Sequence, residues 1–343
     1  MDIENLILTY LRKHKEVRTV DIVKKTGFSR AYIHRFLKKL QDEGKIILVG
    51  RTNRARYILA TSKNILSSKP LFWRRTLTNK NLLEDVVLAE IKRETSIFYR
   101  LRKNVVDILD YAFTEMLNNA IEHSRSKKIF VQIEKTDKLI KFKVNDFGIG
   151  IYNDIKRKFR LKNIFEAIEL LLKGKQTTAP EAHTGEGIFF TSKVADILII
   201  ESSSKKLIFD NKIDDVFIRD IKKIKGTKVS FEIAINTKKN LSSVFKEYAD
   251  ENFIFNKTKV IVKLFKLGGQ SYISRSQARR VLFGLEKFNR VILDFKNVDT
   301  IGQAFADEVF RVWKKKHPKI KISYINCNEN IEFMIKRAKF FRD

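Results

Sequence analysis

The chain has 343 residues, 43% of them hydrophobic and 32% charged, a composition that is typical of folded proteins and excludes an intrinsically disordered one. This length accommodates about two or three domains. The single cysteine, Cys327, excludes a disulfide framework and a cysteine-based metal cluster and is typical of a reducing cytoplasm. No apolar run approaches the roughly 18 residues of a membrane-spanning helix, and Asp2 and Glu4 are unlike a secretory signal. We therefore expect a cytoplasmic protein that does not enter the membrane.

The net charge of +30 favours a polyanionic partner, because lysine and arginine neutralise phosphates and release their counterions. Residues 1–62 hold 14 Lys and Arg against 6 Asp and Glu, a net charge of +8 that is only modestly above their share by length. The charge is therefore spread over the whole chain, as in a protein from a lysine-rich proteome. Alone, it favours nucleic-acid binding only weakly.

The first 62 residues predict a small domain of three helices followed by two strands. The predicted elements cover residues 3–14, 19–25, 29–43, 46–49 and 56–59. Ser29 is a favourable N-cap for the third helix, and Gly44 favours its end. Four apolar side chains of this helix recur at helical spacing and are expected to face the core: Ile33, Phe36, Leu37 and Leu40.

A basic surface remains on the third helix and on the loop and strand that follow it. The helix leaves six side chains outside: Arg30, Tyr32, His34, Arg35, Lys38 and Lys39. The loop and strand add three arginines: Arg51, Arg54 and Arg56. This arrangement resembles a winged helix-turn-helix, which implies that the helix enters the major groove of double-stranded DNA while the arginines contact phosphates or the minor groove. The alternative is a helical domain that mediates only protein contacts.

Residues 63–85 are polar and interrupted by Pro70, so they are interpreted as a connector. A second domain is expected at residues 86–240. Its predicted helices cover residues 86–99, 105–124, 162–173 and 188–195, and its predicted strands cover 129–134, 139–145, 197–202, 206–209 and 228–233. Antiparallel strands with helices on one face are the expected result.

Two short motifs of this domain are the parts of a Mg-nucleotide pocket. In the long helix, Glu115, Asn119 and Glu122 lie near one face, because side chains three, four and seven positions apart stack together. Residues 146–150, Asp-Phe-Gly-Ile-Gly, then bring an acid and two glycines to a strand end. Each motif alone is common in a solvated helix face or a turn. Their order and separation together indicate nucleotide binding.

These motifs resemble the GHKL ATP-binding fold of gyrase, Hsp90 chaperones, MutL proteins, histidine kinases and anti-sigma-factor serine kinases. Glu115, Asn119 and His123, spaced by four, resemble the N box in its anti-sigma-kinase form. Residues 146–150 resemble the G1 box, residues 183–187 (His-Thr-Gly-Glu-Gly) the G2 box that ends the ATP lid, and residues 226–227 the G3 segment. The resemblance implies an α/β sandwich with a mixed antiparallel sheet and helices on one face, and it implies ATP and Mg²⁺ as ligands.

Each matched side chain has a chemical role in such a site. Asp146 is expected to accept a hydrogen bond from the exocyclic amine of adenine, with Thr227 hydrogen-bonding nearby. The Asn119 carboxamide oxygen suits Mg²⁺. Glu115 is the candidate catalytic residue, which would orient or deprotonate a water or hydroxyl beside the γ-phosphate. His123 is a further candidate contact to the nucleotide, and a satisfied helix-end histidine is the alternative.

The glycines have a separate role. Gly148 and Gly150 are expected to let the backbone approach the nucleotide, whereas Gly185 and Gly187 are expected to present N–H groups to phosphates at a helix start. Within the lid, Lys173 or Lys175 is a candidate for phosphate contact, with an exposed lysine as the alternative. No phosphoacceptor histidine precedes the domain in the histidine-kinase pattern, which argues against two-component autokinase activity.

Residues 256–343 predict a small α/β domain with strands at 260–265, 291–295 and 320–325 and helices at 274–288, 302–316 and 328–338. The segment 291–304 resembles the STAS domain of anti-sigma-factor antagonists, in which a serine after this strand is phosphorylated by a GHKL kinase. Here the turn reads Gly302-Gln-Ala-Phe305, so the acceptor serine is missing. The alternative is an α/β domain that supports oligomerisation.

The leading hypothesis is an α+β multidomain transcriptional regulator in which Mg-ATP controls a DNA-binding winged helix and a STAS-like domain. The first alternative is an anti-sigma-type serine/threonine kinase, with Glu115 as base and a STAS or sigma/anti-sigma-type protein as partner. The second is an ATP-hydrolysing clamp, which requires a homodimer and Glu115-dependent hydrolysis.

Overall fold

Our computed structural model describes residues 2–49, 55–61, 69–174, 186–249, 255–265 and 272–340. The chain divides into two compact units, one of Met1–Trp73 with Ala89–Arg100 and one of Arg74–Leu88 with Leu101–Asp343. None of the helices in the described part combines the length and the apolar character that crossing a bilayer requires.

The described residues of the N-terminal segment form three helices and three short strands. Its elements are α1 (Ile3–His14), β1 (Glu16–Val17), α2 (Thr19–Thr26), α3 (Arg30–Asp42), β2 (Ile46–Val49) and β3 (Arg56–Leu59). The strands pair antiparallel in the order β1-β3-β2. The five predicted elements agree with these bounds to within one residue. The sequence does not predict strand β1, because two residues are too few to show the alternation of apolar and polar side chains that marks a strand.

Helix α3 is amphipathic and begins at a serine cap. The Ser29 hydroxyl accepts a hydrogen bond from the Tyr32 N–H at 3.2 Å, as its position in the sequence predicts. Three of the predicted core residues are buried and the fourth is half-buried: Ile33, Leu37 and Leu40, and Phe36. Their packing into one cluster with the apolar side of α1 leaves the basic face of α3 exposed.

The central part of the chain is built on a five-stranded sheet with helices against it. Its elements are β4 (Phe72–Thr78), α4 (Glu84–Glu94), α5 (Lys103–His123), β5 (Lys128–Lys135), β6 (Leu139–Asp146), α6 (Ile151–Lys158), α7 (Ile164–Lys173), α8 (Gly187–Val194), β7 (Ile197–Asp210) and β8 (Asp215–Ala234). The strand order is β4-β5-β6-β8-β7, and β5, β6, β8 and β7 pair antiparallel. Side chains of β5 and β6 alternate between buried and half-exposed, so one face of the sheet is the core face.

Three features of the sheet differ from the prediction. Strand β4 lies inside the segment that is interpreted as a connector, because its exposed arginines hide the alternation of a protected edge strand. The two strands predicted between residues 197 and 209 are one strand, whose register against β8 shifts at a β-bulge beside Ser203. Strand β8 is 20 residues long, and its lysine-rich first half escapes prediction.

The C-terminal part is a small α/β domain on a parallel sheet. Its elements are α9 (Leu241–Tyr248), β9 (Lys257–Ile261), α10 (Arg275–Leu282), β10 (Arg290–Asp294), α11 (Gln303–Asp307), β11 (Lys321–Ile325) and α12 (Glu329–Phe340). The strands pair in the order β11-β10-β9. Helix α11 continues through a π-helical segment (Glu308–Trp313) to Lys316, and α10 ends before the predicted 288 because Gly284 adopts a left-handed φ of 80°. Strand β9 ends at Ile261, ahead of the predicted 265, and a 3₁₀ turn follows.

Helix α8 belongs to the core of the C-terminal domain as much as to the sheet domain. Its Phe189 and Phe190 lie in one buried cluster with Tyr248, Phe255 and Phe288. The ring centroids of Phe189 and Phe255 are 4.6 Å apart, and those of Phe255 and Phe288 are 5.5 Å apart. Such ring pairs add specific contact energy to the burial of apolar area. The two domains therefore share α8.

Candidate nucleotide-binding site

A cavity of about 420 Å³ lies between α5, the end of β6, α8 and the strands β7 and β8. This volume falls within the roughly 300–1,000 Å³ of small-molecule sites. Six of the predicted site residues line the cavity: Glu115, Asn119, His123, Asp146, Gly187 and Thr227. Gly148 and Gly150 are not among the lining residues that the structure describes, and Gly185 lies outside the described part of the chain.

Helix α5 presents three of these side chains on successive turns. The Asn119 NH₂ group donates a hydrogen bond to the Glu115 carbonyl oxygen at 2.8 Å, so a cation would meet the carboxamide oxygen. His123, one turn further, also lines the cavity. Glu122 is exposed and is not among the lining residues, so the predicted face is turned towards His123. The same helix buries a series of apolar side chains, Phe113 among them.

Asp146 is the most deeply buried acid of the cavity lining, with 4% of its surface exposed. Its carboxylate accepts hydrogen bonds from the Gly148 N–H at 2.9 Å and from the N–H and hydroxyl of Thr227. Burial raises the pKa of Asp146, and these hydrogen bonds oppose that rise. The Thr227 hydroxyl also accepts the Ile151 N–H at 2.9 Å, which fixes Asp146 to the start of α6. An acceptor held in this way suits an amine donor of a ligand.

The glycines of the 146–150 turn are required by the protein's own packing. A Cβ on Gly148 would lie 1.7 Å from the Ser124 carbonyl oxygen at the end of α5. A Cβ on Gly150 would lie 2.6 Å from the Ser202 hydroxyl, and its φ of 81° disfavours other residues. Both glycines therefore allow close approaches to α5 and β7 within the protein itself. Gly226, assigned from the sequence to the G3 segment, makes the same kind of approach, because its Cβ position lies 2.1 Å from the Asp146 carbonyl oxygen.

The start of α8 lies against the candidate catalytic residue. A Cβ on Gly187 would lie 1.9 Å from Glu115 Oε2, so a larger residue at this position would require the Glu115 carboxylate to move. The positive end of α8 thus faces the Glu115 carboxylate. Tyr111 also lines this corner of the cavity. Burial is the main cause that raises the pKa of its hydroxyl, and the charges of Glu115 and Glu186 raise it further, so the hydroxyl stays neutral.

The charge of the cavity indicates how a polyphosphate would bind. Its described lining contains no lysine or arginine. It contains four carboxylates: Glu115, Asp146, Asp154 and Glu186. Phosphates would be repelled by this lining unless a cation accompanied them. The described residues also hold no group of three His, Cys, Asp or Glu side chains that would bind a metal alone. The donor set therefore fits Mg²⁺ that is bound partly by Asn119 and partly by phosphate oxygens.

A group of apolar side chains in the lining suits a flat ring. It includes Met116, Val144, Ile155, Ile200 and Val229, which lie on α5, β6, α6, β7 and β8. Asp146, the most deeply buried acid of the lining, lies in the same cavity. Apolar walls with a buried acceptor match the faces and the hydrogen-bonding edge of a purine.

The sequence motifs do not predict one side of the cavity. Phe245 and Ala249, in and after α9, and Phe255, before β9, line the cavity although they belong to the segment that leads into the C-terminal domain. The centroid of the Phe245 ring lies 5.3 Å from that of Tyr111. The only signal in the sequence is an unusual density of aromatic residues between positions 245 and 255, which carries no nucleotide motif.

Lys173 does not contact the cavity, in contrast to its candidate role at the phosphates. It is 1% exposed, and its Nζ donates to the carbonyl oxygens of Arg280 and Phe283 at 2.9 and 2.8 Å. The long apolar stem and the unfilled carbonyls at the end of α10 explain this burial. Lys175, the other candidate, lies outside the described residues.

The candidate DNA-binding residues that the structure describes lie on α3, except for Arg56, which begins β3. Seven are exposed: Arg30, Tyr32, His34, Arg35, Lys38, Lys39 and Arg56. Lys39 is paired with Glu4 at 2.6 Å, and Arg56 of β3 is paired with Glu16. Arg51 and Arg54 lie outside the described residues.

Comparison with known families agrees with both predicted folds. Residues 82–209 match the model of the histidine kinase-like ATPase domain, and residues 277–332 match that of a STAS-like domain of unknown function (DUF4325). No curated protein matches the chain. The first match contains Glu115, Asn119 and Asp146, whereas the cavity residues after β7 lie outside both matches. The chain therefore combines a histidine kinase-like (GHKL) ATPase domain with a STAS-like domain.

Proposed function

We propose that the chain is a cytoplasmic, ATP-dependent transcriptional regulator that binds double-stranded DNA through a winged helix-turn-helix at its N-terminus. The observation that carries the regulatory part is the composition of the cavity. Its lining joins ATPase residues such as Asn119 and Asp146 to Phe245 and Phe255, which precede the STAS-like domain. A ligand in this cavity touches both, and so acts on the position of the STAS-like domain.

The chemistry of the site favours Mg-ATP as that ligand. Mg²⁺ supplies the positive charge that offsets the phosphates. Asn119 provides an oxygen ligand, and Asp146 accepts the amine hydrogen of adenine. The start of α8 directs backbone N–H groups towards the cavity beside Glu115, where anions are favoured.

The DNA-binding part is supported by α3. This helix has a buried apolar side and an exposed side with Arg30, Arg35 and Lys38. Tyr32 lies between the rings of Phe28 and Phe36, at 5.0 and 5.1 Å, which holds the exposed face in one arrangement. An exposed basic helix of 13 residues has the dimensions of a reader of the major groove.

The direct test is the affinity of the full chain for genomic DNA fragments, measured with and without Mg-ATP. A ligand shifts an equilibrium only by its different affinities for the two states, so Mg-ATP must change the DNA affinity. Equal affinities contradict the regulatory coupling, and a failure to retain any double-stranded DNA contradicts the DNA-binding assignment. Mg-ADP serves as the matched ligand control for the γ-phosphate.

A serine/threonine kinase is the second candidate, because Glu115 is retained and lies against the start of α8. The acceptor would be a STAS or sigma/anti-sigma-type partner, since the turn at Gly302 lacks the serine. Labelled γ-phosphate distinguishes the outcomes. Transfer to a protein that is lost in Glu115→Gln supports the kinase, free phosphate supports an ATP-hydrolysing dimer, and neither product supports a nucleotide-sensing regulator.

A further inference from the structure

We infer that the nucleotide site is completed by the segment leading into the STAS-like domain, with Phe245 and Phe255 as nucleotide contacts and Lys173 as the positioning residue that holds this segment in place. The inference rests on the proposed binding of Mg-ATP and deepens it. The STAS-like domain, when docked on the ATPase domain of the same chain, thus helps to form the ATP site. The affinity for ATP should then depend on this docking, and the docking should depend on ATP.

Phe245 brings α9 to the cavity. Its ring centroid lies 5.3 Å from that of Tyr111 and 4.6 Å from that of Phe190, in edge-to-face arrangements. Tyr111 and Phe190 also line the cavity, on α5 and α8. The ring is therefore held from two sides, and its half-buried face remains as part of the lining.

Phe255 connects the cavity to the STAS-like core. Its ring lies 5.0 Å from that of Phe190 on the cavity side and 5.5 Å from that of Phe288 in the core of the STAS-like domain. The next residue, Asn256, accepts backbone hydrogen bonds from Asn289 and Arg290 at 2.9 and 3.1 Å. A shift of the STAS-like sheet therefore moves Phe255 at the cavity.

The contacts of α7 hold the two domains in this arrangement. The Lys173 Nζ donates to the carbonyl oxygens of Arg280 and Phe283, which end α10. The Lys173 carbonyl oxygen accepts the Thr258 hydroxyl of β9 at 2.7 Å. One turn earlier, Glu169 forms an ion pair with Arg280 at 2.6 Å, in which Glu169 is 4% exposed. A group with this many buried polar partners fixes one geometry, because separating any pair leaves a buried polar atom unsatisfied.

The same helix contributes to the cavity directly. Leu171 lines it two residues before Lys173. Gly174, with a φ of 75°, follows at a point where a Cβ would lie 2.8 Å from the Phe189 ring and 3.1 Å from that of Phe255. The end of α7 is thus packed onto the residues that separate the cavity from the STAS-like core. Displacing it displaces the lining.

The experiment measures Mg-ATP affinity of the full chain by isothermal titration calorimetry, for the wild type, Lys173→Met and Lys162→Met. Lys162 is exposed at the start of α7 and is the matched control. Lys173→Met keeps the buried stem but removes both hydrogen bonds to α10. We expect it to weaken Mg-ATP binding about 5- to 150-fold, the usual range of coupling between sites, although Lys173 does not line the cavity. Lys162→Met is expected to bind as the wild type does.

A second readout separates coupling from general damage. Coupling is reciprocal, so Mg-ATP must slow hydrogen exchange of the amides in Arg275–Leu282 of the wild type, and it must slow them less in Lys173→Met. Phe245→Leu serves as a further variant, because its half-buried ring is removed without opening the core. It is expected to weaken Mg-ATP binding while the ligand-free protein stays folded, with a loss of thermal stability limited to that of the ring pairs it removes.

The outcomes distinguish the two proposals. A wild type that does not bind Mg-ATP overturns the proposed function. A wild type that binds Mg-ATP, together with wild-type affinity in Lys173→Met and Phe245→Leu and no protection of α10, overturns this inference and leaves the proposed function intact. If Lys173→Met does not fold, Phe245→Leu and the protection of α10 decide between the same two results.

Discussion

Asn119 and Glu115 lie one turn apart on α5, and their contacts predict different roles for them in the proposed site. Replacing Asn119 by Ala would remove the proposed oxygen ligand of Mg²⁺, so Mg-ATP affinity is expected to fall about 10- to 100-fold, as for a bond to a charged group. Glu115→Gln keeps the shape beside Gly187 and is expected to retain binding. Any release or transfer of γ-phosphate should then fall about 10²- to 10⁴-fold. Calorimetry and labelled ATP measure the two effects, and an equal loss of binding in both variants contradicts this division.

Lys173 gives the stability of the fold a pH dependence. Burial lowers the pKa of Lys173 from 10.5 to about 7, with the charge of Glu169 as the largest opposing influence. A neutral amine still has two N–H groups, one for each of its carbonyl partners. Between about pH 7 and 10.5 the unfolded chain binds the proton that the folded chain has lost, so the free energy of unfolding rises with pH. Urea unfolding at pH 7, 8 and 9 should show this rise in the wild type, and Lys173→Met should reduce it, with Lys162→Met as the control.

At the scale of elements, the contact of α8 with α5 depends on the absence of one side chain. Gly187→Ala improves helix propensity, yet its Cβ meets Glu115 Oε2 at 1.9 Å. We therefore expect the Glu115 carboxylate to be displaced within the cavity and Mg-ATP affinity to fall. The double variant with Glu115→Ala removes the clash and should recover binding, although not phosphate chemistry. Affinities of the four proteins form a double-mutant cycle, in which additive losses contradict the contact.

Helix α3 contains two neighbouring lysines that differ in their ion pairs. Lys38 is exposed, whereas Lys39 is paired with Glu4 and lies 3.9 Å from Glu43. If α3 reads DNA, Lys38→Ala should weaken binding to all sequences and reduce the slope of log affinity against log salt by about 1. Lys39→Ala should have a smaller effect. Equal and salt-insensitive effects of both substitutions contradict the placement of α3 on DNA.

The sequence predicts those elements and site residues whose cause is local. The Ser29 cap and the strand predicted at 139–145 are each fixed within a few residues, and both occur as predicted, the strand to within one residue. The contact of Lys173 with α10 joins residues 107 positions apart, and the approach of Phe255 to the cavity is of the same kind. No short pattern encodes such contacts, so neither residue could be assigned before the fold was known. The sequence indicates that a glycine is required at Gly148. It does not reveal the cause, which is the nearby carbonyl oxygen of Ser124.

At the scale of the whole molecule, the shared core predicts joint unfolding of the ATPase and STAS-like domains. Leu293 of β10 is fully buried, so Leu293→Ala should cost about 2–5 kcal/mol. This loss should also lower the unfolding midpoint of the ATPase domain, because α8 belongs to the same cluster. Hydrogen exchange at β6 and β10 across a urea series measures the two domains separately. A midpoint that falls at β10 and stays unchanged at β6 contradicts joint unfolding.

The burial of Phe189 and Phe190 has a consequence for how the protein can evolve. These residues lie inside the stretch of the ATPase family match, yet they are buried in one cluster with residues of the C-terminal domain. A gene rearrangement that removed everything from the start of α9 onwards would expose two phenylalanines to water, which favours aggregation. We therefore expect any relative that has lost the STAS-like domain to carry polar residues at both positions.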